Sequence, residues 1–155
     1  MTTFSIDELT AFIVRAKAAT YVGNGAQSPS CRPGSHDLTY QEENFTYLDS
    51  YFGGADFIGE EVVYFHGKPV WAENYYGRIL LPERIQADEA GQMIKASLSR
   101  MYQEGRFLGG FKNTIDDKTY LDQSDGETAA FNGLEQIWVE GQLAYQLVYH
   151  GGVIR

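Results

Sequence analysis

Hydrophobic residues recur at helical spacing in two stretches of the chain. The first stretch opens with a capping box, in which Ser5 is the N-cap and Glu8 lies three residues later. Its apolar residues then fall on one helical face, at Leu9, Phe12, Ile13 and Ala16. The second stretch repeats this spacing at Ala90, Met93, Ile94, Leu98 and Met101. The pattern predicts helices over about residues 6–18 and 88–102.

After each predicted helix the pattern changes to short runs rich in Val, Ile, Tyr, Trp and Phe, which are typical of β-strands. Strands are predicted near 45–51, 59–66 and 69–77, and again near 117–123, 133–140 and 143–151. His66-Gly67 and Glu140-Gly141 would be the two-residue turns of two hairpins. A helix followed by antiparallel strands, twice, predicts the α+β fold class.

The two halves of the chain also resemble each other residue by residue. Thr46-Tyr47-Leu48-Asp49 recurs as Thr119-Tyr120-Leu121-Asp122, and residues 57–80 align without a gap onto residues 131–154. The identities in that window are Phe57/Phe131, Gly59/Gly133, Glu61/Glu135, Gly67/Gly141, Tyr75/Tyr149 and Gly77/Gly151. Average composition would give about one or two. We therefore expect one domain, 1–155, made of two repeats at about 5–81 and 82–155 and related by a pseudo-twofold axis.

Charge and composition argue against several classes of protein. The net charge is −9 and no stretch is rich in Lys and Arg, so direct binding to nucleic acid or to an anionic membrane is not expected. One cysteine, Cys31, with no signal-like or membrane-spanning apolar run, predicts a cytoplasmic protein. The three histidines, His36, His66 and His150, are scattered, so we expect neither a metal site nor a cofactor.

The predicted hairpins define an aromatic face. If the two-residue turn pairs residue 65 with 68 and residue 63 with 70, one face is aliphatic and the other is aromatic. The aromatic face then carries Tyr64, Trp71, Tyr75, Trp138, Tyr145 and Tyr149. Glu60 and Glu73 join it in the first half only. Such a face could line a cavity for a flat or cationic ligand, or could pack as core or interface.

Other candidate sites lie in the loop from Gly23 to Asp37 and at two repeated glutamates. The loop has no counterpart in the second half, and Arg32 and His36 would cover a binding site from it. Cys31 or Ser35 with His36 and Asp37 could form a nucleophilic site, but neighbours in a chain rarely point at one another. Glu61 and Glu135 could be paired carboxylates for acid–base work. We favour structural roles for both groups and assign no catalytic residue.

Several short stretches resemble an uncharacterised bacterial family of unknown function. They are Arg15–Tyr21, Arg32–Leu38, Gly59-Glu60-Glu61, Asn74–Gly77 and His150-Gly151-Gly152. Members of that family are stand-alone small proteins or the C-terminal part of XRE-type helix-turn-helix regulators, which implies a sensing role. The element order, counting a strand before the second helix, is similar to that of GyrI-like effector-binding domains.

These observations predict a non-enzymatic domain that binds a small aromatic or cationic molecule, in the manner of a sensor. The expected ligand-binding residues are Arg32, His36, Tyr64, Trp71, Glu73, Tyr75, Trp138 and Tyr145. The alternative is an interaction module that forms a homodimer through the aromatic face. An enzyme that uses Glu61 and Glu135, or the 31–37 loop, is the third hypothesis.

Overall fold

The computed structural model describes residues 3–23, 25 and 27–155. Within these residues the chain forms two helices and nine strands. Helix α1 is Ile6–Lys17, continued by a π-helical turn at Ala18–Val22, and helix α2 is Ala87–Gln103. The first strands are β1 (Gln27–Ser28), β2 (His36–Glu42), β3 (Phe45–Gly53), β4 (Phe57–Phe65) and β5 (Lys68–Ile79). After α2 come β6 (Phe111–Ile115), β7 (Lys118–Glu127), β8 (Ala130–Val139) and β9 (Gln142–Val153).

The strands form one antiparallel sheet in the order β1-β2-β3-β4-β5-β9-β8-β7-β6. Each half of the sheet is a meander, and the two meanders meet where β5 pairs with β9. Both helices pack on the same face of this sheet, α1 mainly on the first meander and α2 on the second. The α+β class is therefore confirmed. Neither helix is long and apolar enough to cross a membrane.

The predicted helices and hairpin turns are confirmed. Ser5 caps α1 as predicted, since its hydroxyl accepts the Glu8 N–H at 3.1 Å and the Glu8 carboxylate accepts the Ser5 N–H at 2.6 Å. The turn residues His66 and Gly67 have φ values of 48° and 76°, and residues 140 and 141 have 49° and 79°. Positive φ at both positions is the conformation that matches the twist of a hairpin.

Sequence reasoning missed the outer strands of the sheet. Part of the segment predicted as a loop, 23–37, is β1 and the start of β2, while Asn24 and Ala26 lie outside the described residues. Strand β6 was likewise not predicted. These strands are short or polar, so the alternation of apolar residues that marks a strand is weak in them.

The predicted division of side chains between the two faces of each hairpin is wrong, because each hairpin contains a β-bulge. Phe65 pairs with Lys68 as expected, but Val63 pairs with Trp71 in place of Val70. The second hairpin has the same shift between residues 137 and 138, where Ile137 pairs with Tyr145. One extra residue moves every later side chain of the strand to the other face. Pro69, which has no N–H for the sheet, immediately precedes the extra residue of β5.

The bulges bring large aromatic residues onto the face that the helices cover. Trp71 and Tyr145 are buried there, each close to the helix of its own half, whereas Tyr64 and Trp138 lie on the outer face and are half-buried. The predicted set of six rings on one face is therefore divided. Four rings, Trp71, Tyr75, Tyr145 and Tyr149, point inward and the other two point outward.

Candidate functional site

A cavity of about 270 Å³ lies between the central strands of the sheet, α2 and the end of α1. Its walls carry aromatic rings from the sheet, including Tyr75, Tyr145 and Tyr149, and apolar residues of α2 such as Ile94. The exposed residues of the cavity wall are small ones, such as Gly54, Ala55 and Ala87. Small residues at the rim leave an opening between the β3–β4 turn and the start of α2.

Glycines in the middle of the sheet make room for these rings. A Cβ on Gly59 would lie 2.5 Å from the Tyr75 hydroxyl, and one on Gly133 would fall within the Tyr149 ring. Each tyrosine therefore crosses a glycine of the neighbouring strand and reaches an aspartate one strand further on. Tyr75 donates to Asp49 at 2.5 Å, and Tyr149 donates to Asp122 at 2.7 Å. Only glycine allows a ring to lie this close to the backbone.

One end of the cavity contains a buried ion-pair cluster. Lys17 Nζ donates to Glu61 at 2.9 and 3.1 Å and to Glu73 at 2.7 Å, and Tyr47 also donates to Glu61. All three ionisable side chains are no more than 8% exposed. The ammonium also lies 5.4 Å from the ring centre of Phe107. Charges removed from water to this degree are tolerated only because they are paired and fully hydrogen-bonded.

Three further carboxyls line the cavity without a basic partner, and we call them the uncompensated carboxyls: Asp49, Asp122 and Glu135. Glu135 accepts the hydroxyls of Tyr120 at 2.6 Å and of Tyr145 at 3.1 Å. Within the described part of the chain, no Lys, Arg or His nitrogen lies within 4 Å of any of the three. Their partners are therefore tyrosine hydroxyls, which supply hydrogen bonds but no positive charge.

Burial dominates the acidity of these groups. It raises the pKa of Asp49 and of Glu135 to about 7, and that of Asp122 to about 6. It also raises the pKa of Glu73 well above its usual range. For Glu61 burial acts in the same direction, but the charge of Lys17 and the hydrogen bonds to the carboxylate outweigh it and lower the pKa. These opposite directions favour a negative charge on Glu61, beside the ammonium of Lys17, over one on Glu73.

The structure brings some of the predicted ligand-binding residues together and separates others. Glu73, Tyr75 and Tyr145 line the cavity. Trp71 lies beside it in the core, where its ring stacks on Phe131 at 5.8 Å and its indole N–H donates to the Thr128 carbonyl at 3.0 Å. The outward-facing Tyr64 and Trp138 lie away from it.

The segment 31–37 lies apart from the cavity. Arg32 stacks over Phe52 at 4.6 Å and donates to the Ser50 side chain at 2.8 Å, both on the outer face of β3. His36 is exposed and its ring lies 5.1 Å from that of Tyr51, which does line the cavity. Arg32 and His36 themselves are not lining residues.

No catalytic triad forms in this segment. Ser35 donates directly to Asp37 at 2.8 Å, and the Cys31 N–H donates to the same carboxylate at 2.9 Å. Burial acts to raise the pKa of Asp37, but these hydrogen bonds and one from Ser50 outweigh it and lower the pKa to about 2. His36 has no described contact with this network, so the arrangement is that of a stabilised turn. Nor do the described residues contain a group of three or more His, Cys, Asp and Glu side chains able to hold a metal ion.

Sequence reasoning missed Lys17 and set aside the repeated acids. Lys17 follows Ile13 by one helical turn and so falls on the apolar stripe of α1, which was the available signal. Glu61 alternates with Val63 on the buried face, and Glu135 with Ile137. Glu60 alternates the other way and is exposed. Residues common to both halves therefore line the cavity together with Glu73, which is present in one half only.

Comparisons with known proteins identify a family of unknown function for this chain. No curated protein matches the chain, and no solved structure does. A family model described as a domain of unknown function, DUF5680, matches residues 49–154, which include β4, β5, α2 and the whole second meander. Since this match covers more than half of the chain, the protein belongs to the DUF5680 family.

Proposed function

We propose that this protein is a non-enzymatic, small-molecule-binding domain of the sensor type. The observation that carries the proposal is the cavity itself, in which rings and buried carboxyls converge on one space. Concave sites with apolar walls and a few buried polar groups are the usual form of a ligand site. The resemblance to proteins attached to XRE-type regulators supports the same function.

We also propose that the fold arose by duplication of a helix and a meander. The β5–β9 pairing is symmetric about Tyr75 and Tyr149, which lie opposite each other and are also matched in the alignment of the two halves. The two bulges lie at matched positions of the same alignment, after Val63 and after Ile137. Because the cavity lies across the joint between the two halves, both halves contribute equivalent rings and acids to it.

A variant that fills the cavity tests the proposed function. Gly91 of α2 lines the cavity, and a Cβ added to it meets no atom within 4 Å. Gly91→Leu should therefore fill the space without a clash, and Gly91→Ala is the matched control because it leaves most of the volume free. We expect some compound in a metabolite library to raise the melting temperature of the parent and of Gly91→Ala, but not of Gly91→Leu. If every stabilising compound acts equally on Gly91→Leu, the cavity is not the binding site.

The second candidate function is a homodimerisation module, and one observation favours it. Ile58, Tyr76 and Val148 pair in a row across β4, β5 and β9 on the outer face, and each is about half exposed. Such an apolar row would suit a second copy of the same sheet. Light scattering of the parent and of Val148→Asp tests it. A dimer that Val148→Asp converts to a monomer supports this function, and a monomeric parent contradicts it.

A further inference from the structure

The cavity has an unequal charge balance between its two halves. In the first half, Asp49 and Glu61 are direct partners across β3 and β4, and Lys17 lies against Glu61. In the second half, Asp122 and Glu135 are direct partners across β7 and β8. Side chains that face each other in this way lie about 5 Å apart. Among the described residues no basic nitrogen lies within 4 Å of the second pair, and the charges of Lys17 and, at Asp122, of Arg106 act on it only from further away.

The position that corresponds to Lys17 in the second half is apolar. Each helix can be numbered from its N-cap residue, which is Ser5 in α1 and Gln86 in α2. Counted in this way, Lys17 of α1 corresponds to Leu98 of α2. Leu98 also lines the cavity. The counterpart of Glu73 in the alignment of the two halves is Leu147. The second half thus has both acids of the cross-strand pair but no cation beside them.

The surroundings of this second pair suit a positive charge attached to an apolar body. Tyr145, Tyr149 and Phe57 line the same space, and aromatic faces attract cations. Tyr102 lines the same space and adds a further aromatic ring to it. At pH 7.5, which lies above the pKa of about 6 to 7 of the three uncompensated carboxyls, an anion would meet their negative charges and would be repelled.

We propose that the cavity binds a compact organic ammonium ion, whose charged nitrogen lies beside Glu135 as Lys17 lies beside Glu61 in the first half. This inference rests on the proposed function and names its ligand class. The cavity volume of about 270 Å³ is below the usual range for drug-sized ligands, so the ligand is small. Its apolar body packs between the aromatic residues of the sheet and Ile94 and Leu98 of α2.

Matched probes of different charge test the proposal. We would measure the affinity of the full chain by calorimetry at pH 7.5 for phenethylamine and tryptamine, for their neutral alcohols, and for phenylacetate and indole-3-acetate. At least one ammonium probe should bind tenfold or more tightly than its alcohol, and the carboxylates should not bind. If no ammonium probe binds more tightly than its alcohol, the proposal is wrong. An alcohol or a carboxylate could instead bind tightly to the parent and fail to bind to Gly91→Leu. That result would overturn the proposed ligand class but would still support the proposed function.

Two variants locate the charged nitrogen. Glu135→Gln keeps an acceptor for Tyr120 and Tyr145 but removes the charge, and should weaken the ammonium probe tenfold or more while leaving its alcohol unchanged. Glu60→Gln, on the exposed face, is the matched control and should change neither affinity. Leu98→Lys supplies the missing cation from the protein itself, so it should abolish ammonium binding, whereas Leu98→Met should not. Unchanged ammonium affinity in Leu98→Lys would contradict the proposed position even if Glu135→Gln failed to fold.

Discussion

The buried ion-pair cluster permits a quantitative test, because Lys17 is the one cation bonded to Glu61 and Glu73 in the described structure. Its ammonium makes three hydrogen bonds to these carboxyls, and every partner is at most 8% exposed. Lys17→Met keeps an apolar stem of similar length but leaves Glu61 as an unpaired buried charge. Removing one partner of a buried ion pair costs about 3–5 kcal/mol. We expect Lys17→Met to lower the free energy of unfolding by that amount at pH 7.5.

The second half of the chain suggests a substitution that should compensate for the loss of Lys17. There Glu135 is held by two tyrosines, and leucine replaces both the lysine and the second glutamate. Lys17→Met combined with Glu73→Leu copies this arrangement, so the double variant should recover about 2–3 kcal/mol relative to the sum of the two single changes. The recovery follows because Glu73→Leu removes the second buried carboxyl, so Glu61 is the one acid left without Lys17 and retains Tyr47 as its donor.

Urea unfolding followed by far-UV circular dichroism gives the four free energies of this cycle. Lys68→Met, at an exposed position, is the control and should change stability by less than about 0.5 kcal/mol. The reasoning is refuted if Lys17→Met costs less than about 1 kcal/mol. It is also refuted if the double variant is as unstable as the sum of the single variants.

Three further predictions concern the glycines, a tyrosine and the uncompensated carboxyls. Gly133→Ala should lower the free energy of unfolding by about 1–3 kcal/mol, because the Tyr149 ring occupies the position of the added Cβ. Gly91→Ala is the control and should raise the free energy of unfolding by about 0.5–1 kcal/mol, because alanine favours the helix more than glycine does. Equal effects of the two changes in thermal unfolding would argue against the close packing of Tyr149 on Gly133. Tyr149→Phe removes the donor to Asp122 and should cost about 1–3 kcal/mol, whereas the exposed Tyr76→Phe should be neutral by the same measurement. The uncompensated carboxyls have higher pKa values in the folded chain than in the unfolded chain, so the folded chain binds more protons between pH 5 and pH 7.5. The free energy of unfolding should therefore fall by about 2 kcal/mol or more as the pH rises from 5 to 7.5. Asp122→Asn should reduce this slope in urea unfolding, and a stability that rises over the same range would contradict the reasoning.

Much of the fold could be predicted because its signals are local. The capping box at Ser5, the apolar stripe of each helix and the two glycine turns each depend on residues within a few positions of one another. The bulges could not be read in this way. Whether Val70 or Trp71 pairs with Val63 depends on how β5 meets its neighbouring strands, since the Val70 carbonyl accepts the N–H of Ile154, which lies in the other half of the chain.

The candidate site was harder to predict than the fold for a related reason. The hypothesis of an aromatic cavity identified Glu73, Tyr75 and Tyr145, which the structure places in its wall. It also included Tyr64 and Trp138, because a register without a bulge assigns them to the same face. The role of Lys17 could not be assigned, since a lysine on an apolar stripe is explained only by acids that lie 44 and 56 residues away.

By itself, the sequence determined the helices, the inner strands, the turns and the repetition of residues between the two halves. Each of these follows from spacing along the chain, which sets backbone conformation and the side of an element that is buried. The tertiary structure alone decided which residues share the cavity and which acids have a cation beside them. Burial and charge compensation depend on distances between strands and helices, and only packing of the two meanders under α1 and α2 establishes those distances.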